Sequence, residues 1–164
     1  MQFLEYYSSA LRHLDVCKLM LEKLSTMGVK KEKQRQRLML DIYYLSGYII
    51  ETMISYSHFV SLGWRKNNHI ETYPLYDKGF KTHNLSVKLT FAVSKGHCDY
   101  SGIILLGQTI TNATERKMFY EWSERVRYQS PKTISKLDFN EEDLKRYLSD
   151  IEKMFNQLRI KYFV

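Results

Sequence analysis

Apolar residues recur every three or four positions over most of this chain, the period of helices that bury one face. Leu4, Tyr7, Leu11, Leu14 and Leu21 form such a stripe, predicting a first helix from about Phe3 to Met27 with Gly28 as its stop. A longer second helix is expected from near Lys31 to about Leu62, ended by Gly63, with Leu38, Ile42, Leu45, Ile49, Met53, Tyr56 and Val60 facing inward. Residues 64–81 break the period and contain Pro74 and Gly79, so they read as an exposed loop. A helix is then expected to open near His83 or Asn84, to turn Leu85, Leu89, Ala92 and Val93 inward, and to close at Gly96. Residues 98–111 are apolar but without a decisive period, either a short buried helix or an extended segment, and the helical surroundings favour helix. Asn112 caps a helix expected to run through Met118, Trp122 and Val126 to about Gln129, before Pro131. The last helix carries the clearest signals. Asn140 is its cap, Asp143 stands at the capping-box position, and Leu144, Tyr147, Leu148, Ile151, Phe155, Leu158 and Tyr162 share one face.

Together these elements predict an all-α fold, an up-and-down bundle of about five helices in a single domain spanning residues 1–164. Only 2 prolines and 7 glycines, with 44% hydrophobic and 26% charged residues, agree with a compact helical protein that buries its own core. No repeat or Pro/Gly/Ser-rich linker divides the chain. Cys17 and Cys98 lie far apart and outside any metal-like spacing, which predicts reduced thiols and a cytoplasmic protein. Glu5 and Arg12 interrupt what would have to be the apolar core of a secretory signal. The longest uncharged runs, residues 52–64 and 100–114, fall short of the roughly 20 residues that a membrane span needs.

Charge adds one feature. The formal net charge is +7, and much of it sits in 30-KKEKQRQR-37, where Lys30, Lys31, Lys33, Arg35 and Arg37 face a single acid. Such a cluster attracts phosphate backbones or an acidic partner; it also suits a solvated helix start. No Walker loop, dinucleotide fingerprint, paired-cysteine zinc pattern, HExxH or nucleophile elbow is present, and the neighbours His97 and Cys98 have no second pair, so no cofactor or metal is expected.

The middle of the second helix, 43-YYLSGYIIETMI-54, holds two residues that need a reason. Glycine inside a helix costs about 1 kcal/mol relative to alanine, so Gly47 predicts close approach of a neighbouring helix. Glu51 lies four residues on, near the same face, and a carboxylate at a packed seam needs a partner. Arg125 and Arg127 in 122-WSERVRY-128 are the candidates, since arginine can grip a carboxylate with two parallel hydrogen bonds. At the start of the next helix, Asn84 suits a cap, and His83 can bond nearby backbone or a phosphate.

These residues also carry a resemblance. A small-Gly-Tyr step followed by an acid on a long helix (46-SGYIIE-51), then a loop, then a His-Asx-Leu helix start (83-HNL-85), then an aromatic helix ending in Arg-Tyr (127-RY-128), resembles the HEPN superfamily across roughly Asp41 to Tyr128. The resemblance implies a helical bundle, usually a homodimer, found beside nucleotidyltransferases in toxin–antitoxin pairs and among RNA-cleaving toxins and defence systems. Glu51, His83 and Arg127 would belong to the family's shared polar set. The 13 tyrosines and 8 phenylalanines, many for one small core, also point to a dimer, because aromatics are enriched at interfaces.

The departures bear on activity. RNA-cleaving members carry an Arg and a His separated by four to six residues, whereas here the nearest pair, Arg65 and His69, has three between and lies in the expected loop. Asn84 stands where Asp is common, and the lysine often found after the central acid is replaced by the Met53-Ile54 stretch. The expectation is therefore a non-catalytic HEPN-like domain that binds a nucleotide, an RNA or a partner protein through Glu51, His83, Asn84, Arg125, Arg127 and the 30–37 cluster. The alternatives are a ribonuclease with an unrecognised site and a purely structural helical protein.

Overall fold

The computed structural model describes residues 2, 4–64, 68–95, 112–128 and 139–162, and among these the chain is an all-α bundle. Its helices are α1 (Leu4–Thr26), α2 (Glu32–Ser61), the single turn α3 (Tyr76–Gly79), α4 (Leu85–Ser94), α5 (Ala113–Glu121) and α6 (Glu141–Tyr162), with 3₁₀ turns at Val29–Lys31, Ile70–Thr72 and Glu124–Tyr128. None of these helices is long and apolar enough to cross a membrane. The ambiguous segment 98–111, the Gly96 stop, Cys98 and the expected Gln129 terminus lie outside the described residues.

The central element is α2, packed against α1, α4, α6 and the Glu124–Tyr128 turn. Every residue from Ile49 to Phe59 is buried, so this half of the helix has no solvent face. The expected stripe was thus too narrow: Leu38, Leu45 and Val60 are only half-buried, while Tyr43, Ile50, Ile54 and Phe59 on other faces are enclosed. Each such apolar side chain contributes about 1.5–3 kcal/mol.

The helix ends follow local chemistry. Gly63 has φ 73, and its N–H donates to Val60 O at 2.9 Å while Trp64 N–H donates to Phe59 O at 3.1 Å, the paired bonds that close a helix through a left-handed residue. Gly28 does not act this way, because its backbone is extended. Instead Arg35 Nη1 donates to the carbonyls of Leu24 and Met27 at 2.9 and 2.7 Å and closes the end of α1 from outside, while Nη2 pairs with Glu141. Asn84 and Asn112 cap α4 and α5 by accepting from Val87 N–H and Thr114 N–H. Asn140 accepts from the N–H groups of Glu142 and Asp143, and Asp143 returns the bond to Asn140 N–H, completing the expected capping box.

Other expectations are corrected. The buried register of α1 is Tyr6, Ala10, Leu14, Cys17 and Leu24, one step round from the apolar stripe, so Leu11 is exposed. In α4 the inward positions belong to Leu85, Lys88 and Ala92, which turns Val93 outward. Residues 68–81 are no open loop: Ile70, Gly79 and Phe80 are buried, and Phe80 packs on His58, Phe59 and Phe91 with ring centroids 4.6, 5.2 and 5.6 Å away. The segment has no period because single aromatics anchor it one at a time. That cluster, with Trp64 and Tyr73 joining it, takes up much of the aromatic surplus inside the chain, so the surplus no longer argues for a dimer.

The expected helix from Asn112 to Gln129 stops at Glu121. Trp122 is extended, with φ −64 and ψ 135, and its indole lies on Gly47 while Nε1–H donates to Tyr44 O at 3.1 Å. A Cβ on Gly47 would meet indole Cε2 at 1.9 Å. Gly47 is therefore the close-approach site its sequence context predicts, with a tryptophan ring in place of a helix. Gly47→Ala should lower stability by about 1–3 kcal/mol, because displacing a buried indole outweighs the roughly 1 kcal/mol of better helix propensity. Urea unfolding measures this, and a stabilised variant would overturn it.

Burial also sets an alkaline limit. It pushes the Cys17 thiol from 9.0 up to about 12 and the Tyr56 hydroxyl up to about 12, and it raises Tyr43 and Tyr147 as well. A raised group stabilises the fold fully below its unfolded value, and that contribution disappears as pH climbs through the folded one. Lys88, lowered by burial, works in the opposite direction but is one group against four. The urea midpoint should therefore fall progressively from about pH 9 towards pH 12; a midpoint that stays level or rises there would contradict this.

Candidate functional site

A pocket of about 790 Å³ lies between α1, α2 and the segment from α3 to His83. Helical spacing on α1 sets Glu5, Ser8, Ser9, Arg12 and His13 along one wall. Tyr48, Glu51 and Thr52 of α2 supply another wall, and Tyr76, Phe80, Lys81 and His83 complete the lining. Its volume falls within the usual range for small-ligand sites, about 300–1,000 Å³.

Glu51 is the buried anchor, 6% exposed. Lys88 Nζ donates to its Oε1 at 2.7 Å, and His83 Nδ1 lies 3.1 and 3.0 Å from Oε1 and Oε2. An ionised carboxylate only accepts, so Nδ1 carries the hydrogen and the neutral His83 ring keeps its lone pair on Nε2. Lys88 is 1% exposed. Burial drives its ammonium below the ordinary lysine range, and the adjacent Glu51 carboxylate opposes that shift. The side chain of His83 remains 46% exposed, so one ring edge is fixed on Glu51 while much of the imidazole stays accessible.

The expected partners of Glu51 are thus replaced. Arg125 is exposed on the turn after Trp122, and Lys88 with His83 holds the carboxylate instead. Arg127 belongs to the same 3₁₀ turn, but its side chain lies outside the described residues. The reason is geometric: α4 crosses α2 at Glu51, while the tryptophan contact holds the 124–128 turn nearer Gly47. Asn84 serves its helix cap.

The basic cluster is a separate feature. Lys30, Lys31, Lys33 and Arg37 are exposed, but Arg35 is half-buried and committed to the end of α1 and to Glu141. Lys33 precedes Glu51 by 18 residues on the same helix, about 27 Å at the helical rise. The cluster and the pocket therefore cannot grip one phosphate.

Sequence reasoning missed Arg12, His13, Tyr48, Lys81 and Lys88. Lys88 left a signal, a lone cation at the register of Leu85 and Ala92. Arg12 and His13 left none, because the polar side of α1 looks like any solvated face. In three dimensions His13 and His83 flank Tyr48, with ring centroids 6.1 and 5.9 Å from the tyrosine. Burial, and then the Arg12 charge, push the His13 pKa down and favour its neutral form. Among the described residues no group of three His, Cys, Asp or Glu is placed to hold a metal ion.

The Glu51–Lys88 pair gives a direct test. Lys88→Met leaves a buried carboxylate without its closest cation and should cost about 3–5 kcal/mol, whereas the Glu51→Gln/Lys88→Met double variant should recover much of that loss. Urea denaturation of the three variants decides it. A Lys88→Met protein as stable as the parent would refute the buried pair.

Compared with known proteins, the chain matches no protein-family model, no curated protein and no solved structure.

Proposed function

We propose that this chain is a HEPN-like bundle that binds a phosphate-bearing ligand, a nucleotide or an RNA, in the pocket above Glu51. The observation that carries this reading is the convergence of Arg12, Lys81, His13 and His83 on one cavity whose floor carboxylate is already neutralised by Lys88. A bare carboxylate there would repel phosphate; a paired one instead orients His83. The aromatic wall of Tyr6, Tyr48, Tyr76 and Phe80 suits a base or another flat ring, while the cations near it suit the phosphate.

One observation favours the ribonuclease alternative. Transfer of a phosphodiester bond to a 2′-hydroxyl needs a base, an acid and a cation at the developing charge. His13, His83 and Arg12 share this pocket although they are far apart in sequence, so the missing Arg/His spacing does not by itself exclude such an arrangement.

Calorimetric titration with adenosine mononucleotides and a short single-stranded RNA tests both readings. Arg12→Ala and Lys81→Ala should each weaken binding about tenfold or more, the worth of a lost charge-assisted hydrogen bond. Replacing Lys30, Lys31, Lys33 and Arg37 together should leave mononucleotide affinity unchanged. No binding by the parent protein would overturn the proposal. Metal-independent RNA cleavage lost in His13→Ala would replace it with the ribonuclease reading.

A further inference from the structure

The pocket's charge balance points to a narrower class of ligand. Its lining carries Arg12 and Lys81 against Glu5 and Glu51, and Lys88 cancels Glu51 from behind, so with both histidines neutral one positive charge is in excess. A phosphodiester, singly negative, balances that excess. A terminal phosphomonoester, doubly negative near neutral pH, exceeds it by one charge, and a proton must make up the difference.

His83 is the group placed to accept that proton. Nδ1–H is already donated to Glu51, so protonation occurs at Nε2 and creates a new donor on a half-exposed ring. The groups around it are Tyr48 and Glu51 from α2, Glu5, Arg12 and His13 across the pocket on α1, Tyr76 and Lys81 from the α3 side, and Lys88 of α4 through Glu51. Asp77 meets Lys81 at 3.3 Å, but both side chains are mostly exposed, so that pair weighs little. His13 is a poor competitor for the proton, since burial and Arg12 both favour its neutral form.

We propose that the pocket selects a terminal phosphomonoester over an internal phosphodiester, because only the former draws a proton onto His83 that then donates to the phosphate from Nε2. This rests on the phosphate-binding reading above. The phosphomonoester could belong to a free mononucleotide or to the phosphorylated end of an RNA, and both present the same group to His83.

The test is calorimetry on the full chain with adenosine 5′-monophosphate, the dinucleoside monophosphate ApA, and a short RNA with either a 5′-phosphate or a 5′-hydroxyl, repeated in buffers of different ionisation enthalpy. The monophosphate should bind about tenfold or more tightly than ApA, as one added charge-assisted hydrogen bond implies. Its binding should take up protons near neutral pH and weaken as pH rises through the range where histidines lose theirs. His83→Gln should abolish the proton uptake in excess of the ligand's own and bring the two affinities together. If that variant does not fold, the imidazole resonances of the parent protein decide instead: His83 should titrate at higher pH once the monophosphate is bound. A 5′-phosphorylated RNA that binds like the mononucleotide, against a weak 5′-hydroxyl RNA, identifies the RNA end as the source; exclusion of both RNAs identifies the free nucleotide. Equal affinity for monoester and diester, or uptake unchanged in His83→Gln, would overturn this inference while leaving phosphate binding intact. Failure of every probe to bind would overturn the underlying reading and this inference with it.

Discussion

A carboxylate on the one helix that every major neighbour packs against is the constraint from which much of this structure follows. Glu51 cannot be enclosed in α2 without a counter-charge, because an isolated buried anion costs far more than one side chain's packing returns. Lys88 supplies that charge from α4, and His83, just before the α4 cap, supplies the second contact. The position of α4 against α2 is therefore set by electrostatics as much as by Leu85 and Ala92. The cost of burying Lys88 is met in turn by the same carboxylate and by the ring of Phe80, whose centroid lies 6.0 Å from Nζ.

The opposite limb of the same helix is fixed by shape. Gly47 lies one turn before Glu51, and the absence of its side chain admits Trp122, which ties α5 to α2 through the hydrogen bond to Tyr44 O. Tyr48 lies between the two fixtures, with its ring 5.1 Å from Trp122 and 5.9 Å from His83. A single turn of α2 thus couples a packing contact to a polar site. A change at Gly47 that displaces the indole also disturbs the wall against which His83 rests.

How much of this could be read in the sequence follows from the range of each interaction. Caps and stops are local: Asn84, Asn112, Asn140 and Gly63 act within three or four residues, and each does what its position predicts. The reason for Gly47 was legible in kind, since a helical glycine demands a close neighbour, but nothing local said the neighbour was an indole. The partner of Glu51 was not legible. Arg125 and Lys88 are equally good cations on paper, and only the crossing of α4 over α2 chooses between them. Arg35 shows the converse error, because a charge run reads as one patch although one of its members is bonded to the last carbonyls of α1. The α1 wall of the pocket was hidden for a similar reason: Glu5, Ser8, Arg12 and His13 become a site only when α3 and His83 are folded opposite them.

The same reasoning explains why the pocket, and not the most basic stretch of the chain, is the better candidate for recognition. Exposed lysines at 30–33 attract any polyanion from a distance, and solvent and salt screen that attraction strongly. In the pocket, by contrast, low-dielectric walls strengthen each contact, and every charge already has a defined neighbour. The bonding pattern of His83 adds direction, because Glu51 takes one ring nitrogen and leaves the other as the variable one. Discrimination between ligands therefore depends on a single protonation step at a fixed position, which a loose surface cluster such as 30–37 has no means of providing.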